Sequence, residues 1–227
     1  MKAVVLLSGG IDSSVALLII KEMERYDEIY ALTFDYDQKA ASKEIWCAKR
    51  IAERYKVNEH RIIKLPFIKE ISYSGLTDNN IKLSVSDGIL EYVPMRNTIF
   101  LSIATAWAES IDADIVATGS NPSDTTCPDN SSEYLHAFQN VVRLGSVKQK
   151  IKIYSPLSVR NLTKKLIVKT GIKHDLPFKH TWSCHNNTEK ACGICGNCIK
   201  RLNAFQENNL EDPIEYENIK KRYSENG

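Results

Sequence analysis

The sequence predicts an α/β protein with a doubly wound parallel sheet, because apolar strands alternate with amphipathic helices from the start of the chain. Residues 3–7, 28–34 and 60–65 are runs typical of buried strands. Residues 15–20 and 39–55 lie between these runs and are predicted to be helices. In sheets built from such units, ligands bind beyond the carboxyl ends of the strands, so functional side chains are expected there.

Two polar stretches interrupt this alternation. Residues 66–94 are rich in Ser, Asn, Asp and Gly and are interpreted as a lid or substrate loop, with a disordered excursion as the alternative. Residues 120–131 follow a predicted strand and are interpreted as a second loop of the site. The remaining predicted elements are helices at residues 98–109, 132–144 and 164–170 and strands at residues 114–118 and 151–154.

The composition is that of an ordinary globular protein with one α/β domain and an appendage. The chain has 227 residues, of which 43% are hydrophobic and 26% are charged. Its net charge of +2 is too small to argue for nucleic acid as a partner. No apolar run approaches the roughly 20 residues that a membrane helix needs, and Met1 and Lys2 run directly into the first strand. We therefore expect a cytoplasmic protein.

The loop between the first strand and the first helix has the composition of an anion-binding turn. Gly9 and Gly10 let backbone amides approach a phosphate, and the helix start adds a favourable dipole. Because no Lys occupies the Walker A position, this is a different kind of phosphate loop. It resembles the Ser-Gly-Gly-x-Asp-Ser pyrophosphate loop of enzymes that cleave ATP between its α and β phosphates; a purely structural turn is the alternative. The predicted ATP-binding residues are Leu7, Ser8, Gly9, Gly10, Ile11, Asp12, Ser13 and Ser14.

Cys184, Cys192, Cys195 and Cys198 predict a metal site near the end of the chain. Seven, two and two residues separate them, and four thiolates satisfy a tetrahedral Zn²⁺ ion without leaving a position open for catalysis. An iron–sulfur cluster is the alternative, since it also takes four thiolates. Nearby histidines are not expected to be ligands, and the other two cysteines are interpreted as ordinary residues. The predicted organisation is an ATP-binding α/β domain at 1–175, a four-cysteine zinc module at 176–210 and a polar tail at 211–227.

Further motifs extend beyond the loop and the cysteines. They are Phe34-Asp35-Tyr36-Asp37-Gln38 after the second strand, Val93-Pro94-Met95-Arg96-Asn97 before a helix, Pro156-Leu157 with Lys164, and Thr181-Trp182-Ser183-Cys184. With these motifs, nearly the full length of the chain resembles the 7-cyano-7-deazaguanine synthase family. That family is a pyrophosphate-loop, zinc-containing group of the queuosine and archaeosine precursor pathway.

The chain departs from the family pattern on the side predicted to face the substrate. Asp37 and Met95 stand where the family has glycine, and His185 stands where it usually has tyrosine. Residues 120–132 retain only a vague likeness to the family's Tyr-Pro-Asp-Cys-Arg segment. The ATP loop and the cysteine cluster keep the pattern, so adenylation is better supported than the identity of the substrate.

The resemblance implies an adenine nucleotide alpha hydrolase-like fold and a homodimer. It also implies an enzyme that adenylates the carboxylate of 7-carboxy-7-deazaguanine with ATP and converts it with ammonia to the nitrile. Asp12 would bind Mg²⁺ or fix the loop, and Arg96 and Lys164 would stabilise the leaving pyrophosphate. Without the resemblance, those two cations would be interpreted as surface or helix-capping residues. The residues implied for the base or substrate pocket are Asp35, Tyr36, Gln38, Asn97, Asn121 and Asp124.

Three other functions compete with this one. A diverged relative from an antiphage system could join the activated acid to a protein amine, which would suit the altered loops. A tRNA-thiolating enzyme has a related loop and cysteines, but it usually needs a basic surface, and the charge balance argues against that. A non-catalytic scaffold that retains ATP binding is the third alternative.

Overall fold

Five parallel strands form the sheet in a computed structural model that describes residues 1–24, 26–84, 89–122 and 127–218. They are β1 (Lys2–Leu6), β2 (Glu28–Asp35), β3 (Glu59–Lys64), β4 (Ile115–Ala117) and β5 (Lys152–Tyr154). Their order across the sheet is β3-β2-β1-β4-β5, and every neighbouring pair is parallel. The predicted doubly wound parallel sheet is therefore confirmed. The chain changes direction across the sheet between β1 and β4, which opens a crevice at their carboxyl ends.

Helices follow most of the strands. The helix start at Ile11 lies four residues before the predicted one, because the Ser13 and Ser14 hydroxyls bond to the carbonyl of Gly10 inside the first turn. Thr163 caps its helix by accepting a hydrogen bond from the amide of Leu166. The α-helices are α1 (Ile11–Leu18), α2 (Ala41–Arg54), α3 (Phe67–Ile71), α4 (Arg96–Ser110), α5 (Ser132–Gly145), α6 (Pro156–Val159), α7 (Lys164–Lys173) and α8 (Gly196–Gln206).

Both faces of the sheet are covered, and successive residues of β1 point into different cores. Ala3 and Val5 pack with side chains of α1, α2, α7 and α8. Val4 packs on the opposite face with side chains of α4 and α5 and with the four cysteines. Helix α8 contributes to both cores, through Phe205 to the first and Cys198 to the second. The segment that carries these cysteines, residues 181–198 (the cysteine segment), therefore shares a core with the sheet.

Gly9 lies where no side chain fits. Its φ is +80°, and a Cβ atom built on it would lie 2.2 Å from the carbonyl oxygen of Glu44 in α2. The Gly9 carbonyl accepts a hydrogen bond of 2.9 Å from the amide of Trp182. The loop after β1 is therefore fixed by backbone contacts to α2 on one side and to the cysteine segment on the other.

We predict that Gly9→Ala lowers the free energy of unfolding by about 2 to 5 kcal/mol, because the methyl group adds both left-handed strain and overpacking. Gly145→Ala is the control, since a Cβ at that position has no neighbour within 4 Å. Urea denaturation monitored by circular dichroism measures both variants. Equal stability of the two variants would contradict the close approach of Gly9 to α2.

A buried ion pair joins α8 to the segment that follows it. Arg201 and Asp212 are 0% and 1% exposed and form two hydrogen bonds of 2.6 and 2.9 Å. The guanidinium also donates to the carbonyls of Phe178 and Thr181, and Tyr216 donates to the carboxylate. Residues 211–218 of the predicted tail are thus anchored through a carboxylate that no local pattern indicated. The predicted domain boundaries stay a prediction.

We predict that Asp212→Asn lowers the free energy of unfolding by about 3 to 5 kcal/mol, because it leaves a guanidinium buried without its counterion. The control is Glu215→Gln, which breaks an exposed pair with Lys190 and is expected to leave stability unchanged. Thermal and urea unfolding of the two variants provide the comparison. A wild-type midpoint for Asp212→Asn would rule out the pair as an anchor.

Within the part of the chain that the structure describes, no helix is both long enough and apolar enough to cross a bilayer.

Candidate active site and metal centre

A cavity of about 300 Å³ lies at the carboxyl ends of β1, β2 and β4. Its wall combines the loop after β1, the turn after β2, the first residues of α4 and α7, and part of the cysteine segment. Asp124 lies outside the described residues. The predicted site residues that line the cavity are Leu7, Ser8, Gly10, Ile11, Asp12, Ser13, Tyr36, Gln38, Arg96, Asn97 and Lys164.

The loop after β1 presents backbone amides to this cavity. Ser13 Oγ accepts a hydrogen bond from the Ser8 amide at 3.1 Å and donates to the Gly10 carbonyl at 3.1 Å, which ties the loop to the first turn of α1. The first intrahelical bond is from the Ser14 amide to the Gly10 carbonyl. The amides of residues 11–13 precede that bond, as in helix starts that bind anions.

Asp12 is the centre of a polar cluster that joins three parts of the chain. Lys164 Nζ lies 2.5 Å from Asp12 Oδ1, and Asn121 Nδ2 donates to Asp12 Oδ2 at 2.8 Å. Lys164 is the first residue of α7, where the helix dipole disfavours a cation and the carboxylate of Asp12 offsets this. The arrangement holds a cation beside an anion-binding loop, and both charged side chains are about three-quarters buried.

Arg96 lies at the side of the cavity formed by α4 and the turn after β2. Its Nη1 donates to the hydroxyl of Tyr36 at 3.0 Å, and its guanidinium lies 5.6 and 5.7 Å from the ring centroids of Tyr36 and Phe100. Burial raises the pKa of Tyr36, and Arg96 opposes that shift. Burial acts to lower the pKa of Arg96, but its neighbours, Tyr36 foremost, raise the pKa by more, so the net shift is upward. A permanent cation therefore faces a neutral phenol in the cavity.

Asn97 is held by a residue that sequence analysis did not select. Asp129 is 3% exposed, and its carboxylate accepts from the Asn97 amide at 2.9 Å and from Asn97 Nδ2 at 3.3 Å. This carboxylate caps the N-terminus of α4, because the preceding residue, Met95, provides no side-chain cap. Asp129 therefore positions the helix turn that carries Arg96. Its signals in the sequence were its place in the second polar loop and the vague likeness of Cys127-Pro128-Asp129 to the family's Tyr-Pro-Asp-Cys-Arg segment.

The two departures from the family's glycines share one conformation. Asp37 and Met95 both have positive φ, 59° and 54°, which glycine adopts most easily. Asp37 is exposed and Met95 is 51% exposed, and neither lines the described cavity. Their side chains add bulk towards solvent, so these changes are accommodated in the backbone and leave the cavity wall in place.

Gln38 fixes the turn after β2 from within. Its Oε1 accepts from the Tyr36 amide at 2.9 Å, and its Nε2 donates to the Phe34 carbonyl at 3.2 Å and to Glu44 Oε2 at 2.8 Å. Asp35 serves the same turn, because its carboxylate accepts from the amide of Asp37 at 3.2 Å. Both residues therefore support Tyr36.

Carboxylates also line the cavity. Glu44, whose Oε2 accepts from Gln38, and Glu91 are both in its wall, and neither was selected from the sequence. His185 Nδ1 lies 3.5 Å from Glu91 Oε1, so the histidine contacts a carboxylate and stays outside the cysteine cluster, as expected. His180 packs edge-on against Trp46 at 5.5 Å. The cavity wall therefore combines cations such as Arg96 and Lys164 with carboxylates such as Glu44 and Glu91.

The four clustered cysteines are buried and converge on one point. Their Sγ atoms all lie within 4.8 Å of one another, and Cys192 Sγ is 3.9 Å from Cys198 Sγ. Zn–S bonds of about 2.3 Å in a tetrahedron place sulfurs roughly 3.8 Å apart, so the donor set fits a single ion. Hydrogen bonding to Cys184 and the other thiols, together with burial, raises the pKa of Cys198. A bound cation is what would allow all four to be thiolates.

The fold and the site define a parallel α/β protein with a polar cavity at the carboxyl ends of its strands and four converging cysteines that could hold a metal ion. A family model described as "Queuosine biosynthesis protein QueC" matches residues 2–209, and the chain belongs to that family. The resemblance drawn from the motifs is confirmed.

Curated relatives extend over nearly the whole chain. The 7-cyano-7-deazaguanine synthase of Sulfurimonas denitrificans is 39% identical over 95% of this chain and 97% of its own. That of Thermoplasma volcanium is 40% identical over 99% of this chain and 95% of its own. That of Methanospirillum hungatei is 41% identical over 95% of this chain and 100% of its own.

Proposed function

We propose that this protein is an ATP-dependent synthase that converts 7-carboxy-7-deazaguanine and ammonia to 7-cyano-7-deazaguanine, with release of AMP and pyrophosphate. The observation that carries the proposal is the Asp12–Lys164 pair beside the loop after β1, in one cavity with Arg96 and Tyr36. The family match and the names of the relatives support the choice of substrate.

The reaction requires two activations by ATP. A carboxylate oxygen of the substrate attacks the α-phosphorus, and pyrophosphate leaves with the electrons of the broken P–O bond. Ammonia then attacks the acyl carbon, loses a proton and displaces AMP, which gives the amide. The amide oxygen attacks a second ATP in the same way. Loss of AMP and the remaining amide protons then gives the nitrile, so each nitrile consumes two ATP.

The protein contributes positioning and charge neutralisation to these steps. The amides of residues 11–13 bind the β- and γ-phosphates, and Lys164 turns from Asp12 to the pyrophosphate as its charge develops. Arg96 approaches the same charge from α4. Asp12 supplies the oxygen ligands that would hold Mg²⁺, whose role is to neutralise phosphate charge.

The substrate occupies the part of the cavity beside Tyr36. Tyr36, Phe34 and Phe100 line this part and provide an aromatic wall for the deazaguanine ring. Gln38 and Asp35 act by holding the turn that carries Tyr36. Asn97 and Asn121 act by holding α4 and Asp12, and Asp124 stays a proposal from the sequence.

We propose that the four cysteines hold one structural Zn²⁺ ion. Their sulfur separations suit a single tetrahedral ion better than a cluster whose own atoms would have to lie between them. Four protein ligands leave no coordination position open, so the ion supports folding and takes no part in the chemistry. The homodimer implied by the family resemblance is also a proposal, which the sedimentation coefficient of the purified protein tests.

The direct test incubates purified protein with ATP, ammonium and 7-carboxy-7-deazaguanine and follows the products by mass spectrometry. The proposal expects the nitrile, with two AMP and two pyrophosphate formed for each. AMP release without nitrile would overturn the proposed acceptor, and a mass gain on a protein amine would favour the antiphage alternative. Absence of pyrophosphate would favour a scaffold.

We predict that Lys164→Met lowers kcat for AMP formation at least about 100-fold, because it removes a cation from the pyrophosphate that leaves. Lys165→Met is the matched control, since its side chain lies on the same helix turn but is exposed. Steady-state AMP release measures both variants. Equal rates for the two variants would remove Lys164 from the proposed chemistry.

We predict that Cys195→Ser loses the metal and most of its folding stability, because the binding free energy of a structural ion is also folding free energy. Cys127→Ser is expected to retain the metal, since Cys127 lies outside the four-cysteine cluster. Elemental analysis by mass spectrometry and thermal unfolding report the two properties. A stable, fully active Cys195→Ser protein would exclude structural zinc.

A further inference from the structure

A segment of irregular backbone, here called the strap, borders the cavity. It comprises residues 72–84 and 89–92, and it contributes Leu76 and Glu91 to the cavity wall. The strap is closed on itself by the Gly75 amide, which donates to the Leu90 carbonyl at 2.8 Å. Leu76 and Leu83 are 4% and 0% exposed, so the strap is packed into the core although its sequence reads as a loop.

Two residues outside the strap hold its backbone. Lys39 donates its amide to the Leu76 carbonyl at 2.8 Å and its Nζ to the Ile81 carbonyl at 2.5 Å. Asn186 accepts from the Leu83 amide at 3.0 Å and donates to the Leu83 carbonyl at 3.0 Å. The side chain of Asn186 therefore pairs with both polar backbone groups of one strap residue, much as a neighbouring strand would.

Asn186 also contacts the metal-binding cysteines. Its Nδ2 donates to Cys192 Sγ at 3.4 Å, and its backbone carbonyl accepts from Cys184 Sγ at 3.7 Å. Asn186 is 5% exposed, and its amide has two N–H donors, one for the strap and one for the sulfur. Hydrogen-bond donors of this kind orient and stabilise thiolate ligands. One buried side chain thus joins the cysteine cluster to the strap.

A second contact runs beside the first. Glu91 of the strap lies 3.5 Å from His185, which follows Cys184, and Asn197, which precedes Cys198, lies 3.0 Å from the same imidazole. The strap is therefore held to the cysteine segment at two points, Leu83 and Glu91, and Glu91 lies in the cavity wall.

We propose that Asn186 is a positioning residue that couples the four-cysteine centre to the strap and so to the cavity wall. With the cysteines held together by a metal ion, Cys192 Sγ fixes the amide of Asn186, and that amide fixes Leu83. Release of the ion frees the strap before the sheet unfolds. The proposal rests on the proposed function only for its kinetic consequence.

Hydrogen exchange of the metal-loaded protein tests this coupling. In Asn186→Ala, amides of residues 75–84 are expected to exchange about 10-fold faster, because the substitution removes two hydrogen bonds to Leu83 and one to Cys192. Exchange of the amides of β1 is expected to be unchanged. Metal content by elemental analysis is expected to stay at the wild-type value. Asn187→Ala, an exposed neighbour, is the control and leaves the strap protected. Unchanged strap exchange in metal-loaded Asn186→Ala would overturn the proposal.

Chelation provides the second arm, and its result in the wild-type protein does not depend on how the variant folds. In the wild-type protein, a chelator is expected to speed exchange of the strap before exchange of β1. In Asn186→Ala, it is expected to add nothing further at residues 75–84, the part of the strap that Asn186 holds. Strap amides that exchange only together with β1, or equal acceleration in both proteins, would overturn the coupling.

The kinetic arm uses the proposed reaction. Asn186→Ala is expected to raise KM for the deazaguanine acid about 10-fold, because the strap contributes Leu76 and Glu91 to the cavity wall. KM for ATP and kcat are expected to stay within about twofold, because the loop after β1 contains no residue of the strap. A fall in kcat with unchanged KM would overturn this role. If no variant forms nitrile but the exchange results hold, the proposed function fails and the coupling stands.

Discussion

The backbone contacts of the loop after β1 are the constraint on which the rest of the site depends. Gly9 approaches α2 so closely that a methyl group would overlap the carbonyl of Glu44, and its own carbonyl is bonded to Trp182. On the other side, a Cβ at Gly119 would lie 2.8 Å from the amide of Ser13, so the end of β4 also packs directly on the start of α1. Three separate parts of the chain are thereby located with respect to the loop after β1.

The charges of the cavity follow from that arrangement. The loop and the starts of α4 and α7 bring Lys164 and Arg96 into one cavity, where the proposed reaction would use them to neutralise phosphates. Glu44 and Glu91 line the same cavity, and their charge would repel a nucleotide's phosphates from their part of the wall. In the proposed complex, the phosphates therefore lie against the two cations, and the ring of Tyr36 is left for a planar substrate.

The sequence predicted the parts of the molecule that are encoded locally. Strand and helix periods gave the sheet, and the short spacing of the cysteines gave their convergence. It did not predict α8, which begins within the cysteine cluster, where no apolar period is present. The burial of Leu83 in a stretch that reads as a loop was missed for the same reason.

Residues that act across long sequence separations also could not be predicted. Asp129 caps a helix 32 positions earlier, and Asn186 pairs with a residue 103 positions away. Neither carries a local signature, since both are common polar residues in polar stretches. The fold alone brings them to their partners. For Asp37 and Met95, the departure from glycine was visible, but the left-handed backbone that they share was not.

In the proposed reaction, the substrate's own oxygen becomes attached to the α-phosphorus of ATP. Turnover of 7-carboxy-7-deazaguanine labelled with ¹⁸O in both carboxylate positions tests this directly, with AMP and pyrophosphate analysed by mass spectrometry. We predict two AMP molecules for each nitrile, each carrying one ¹⁸O, and unlabelled pyrophosphate. Label in orthophosphate or pyrophosphate, or nitrile formed with unlabelled AMP, would contradict adenylation at this site.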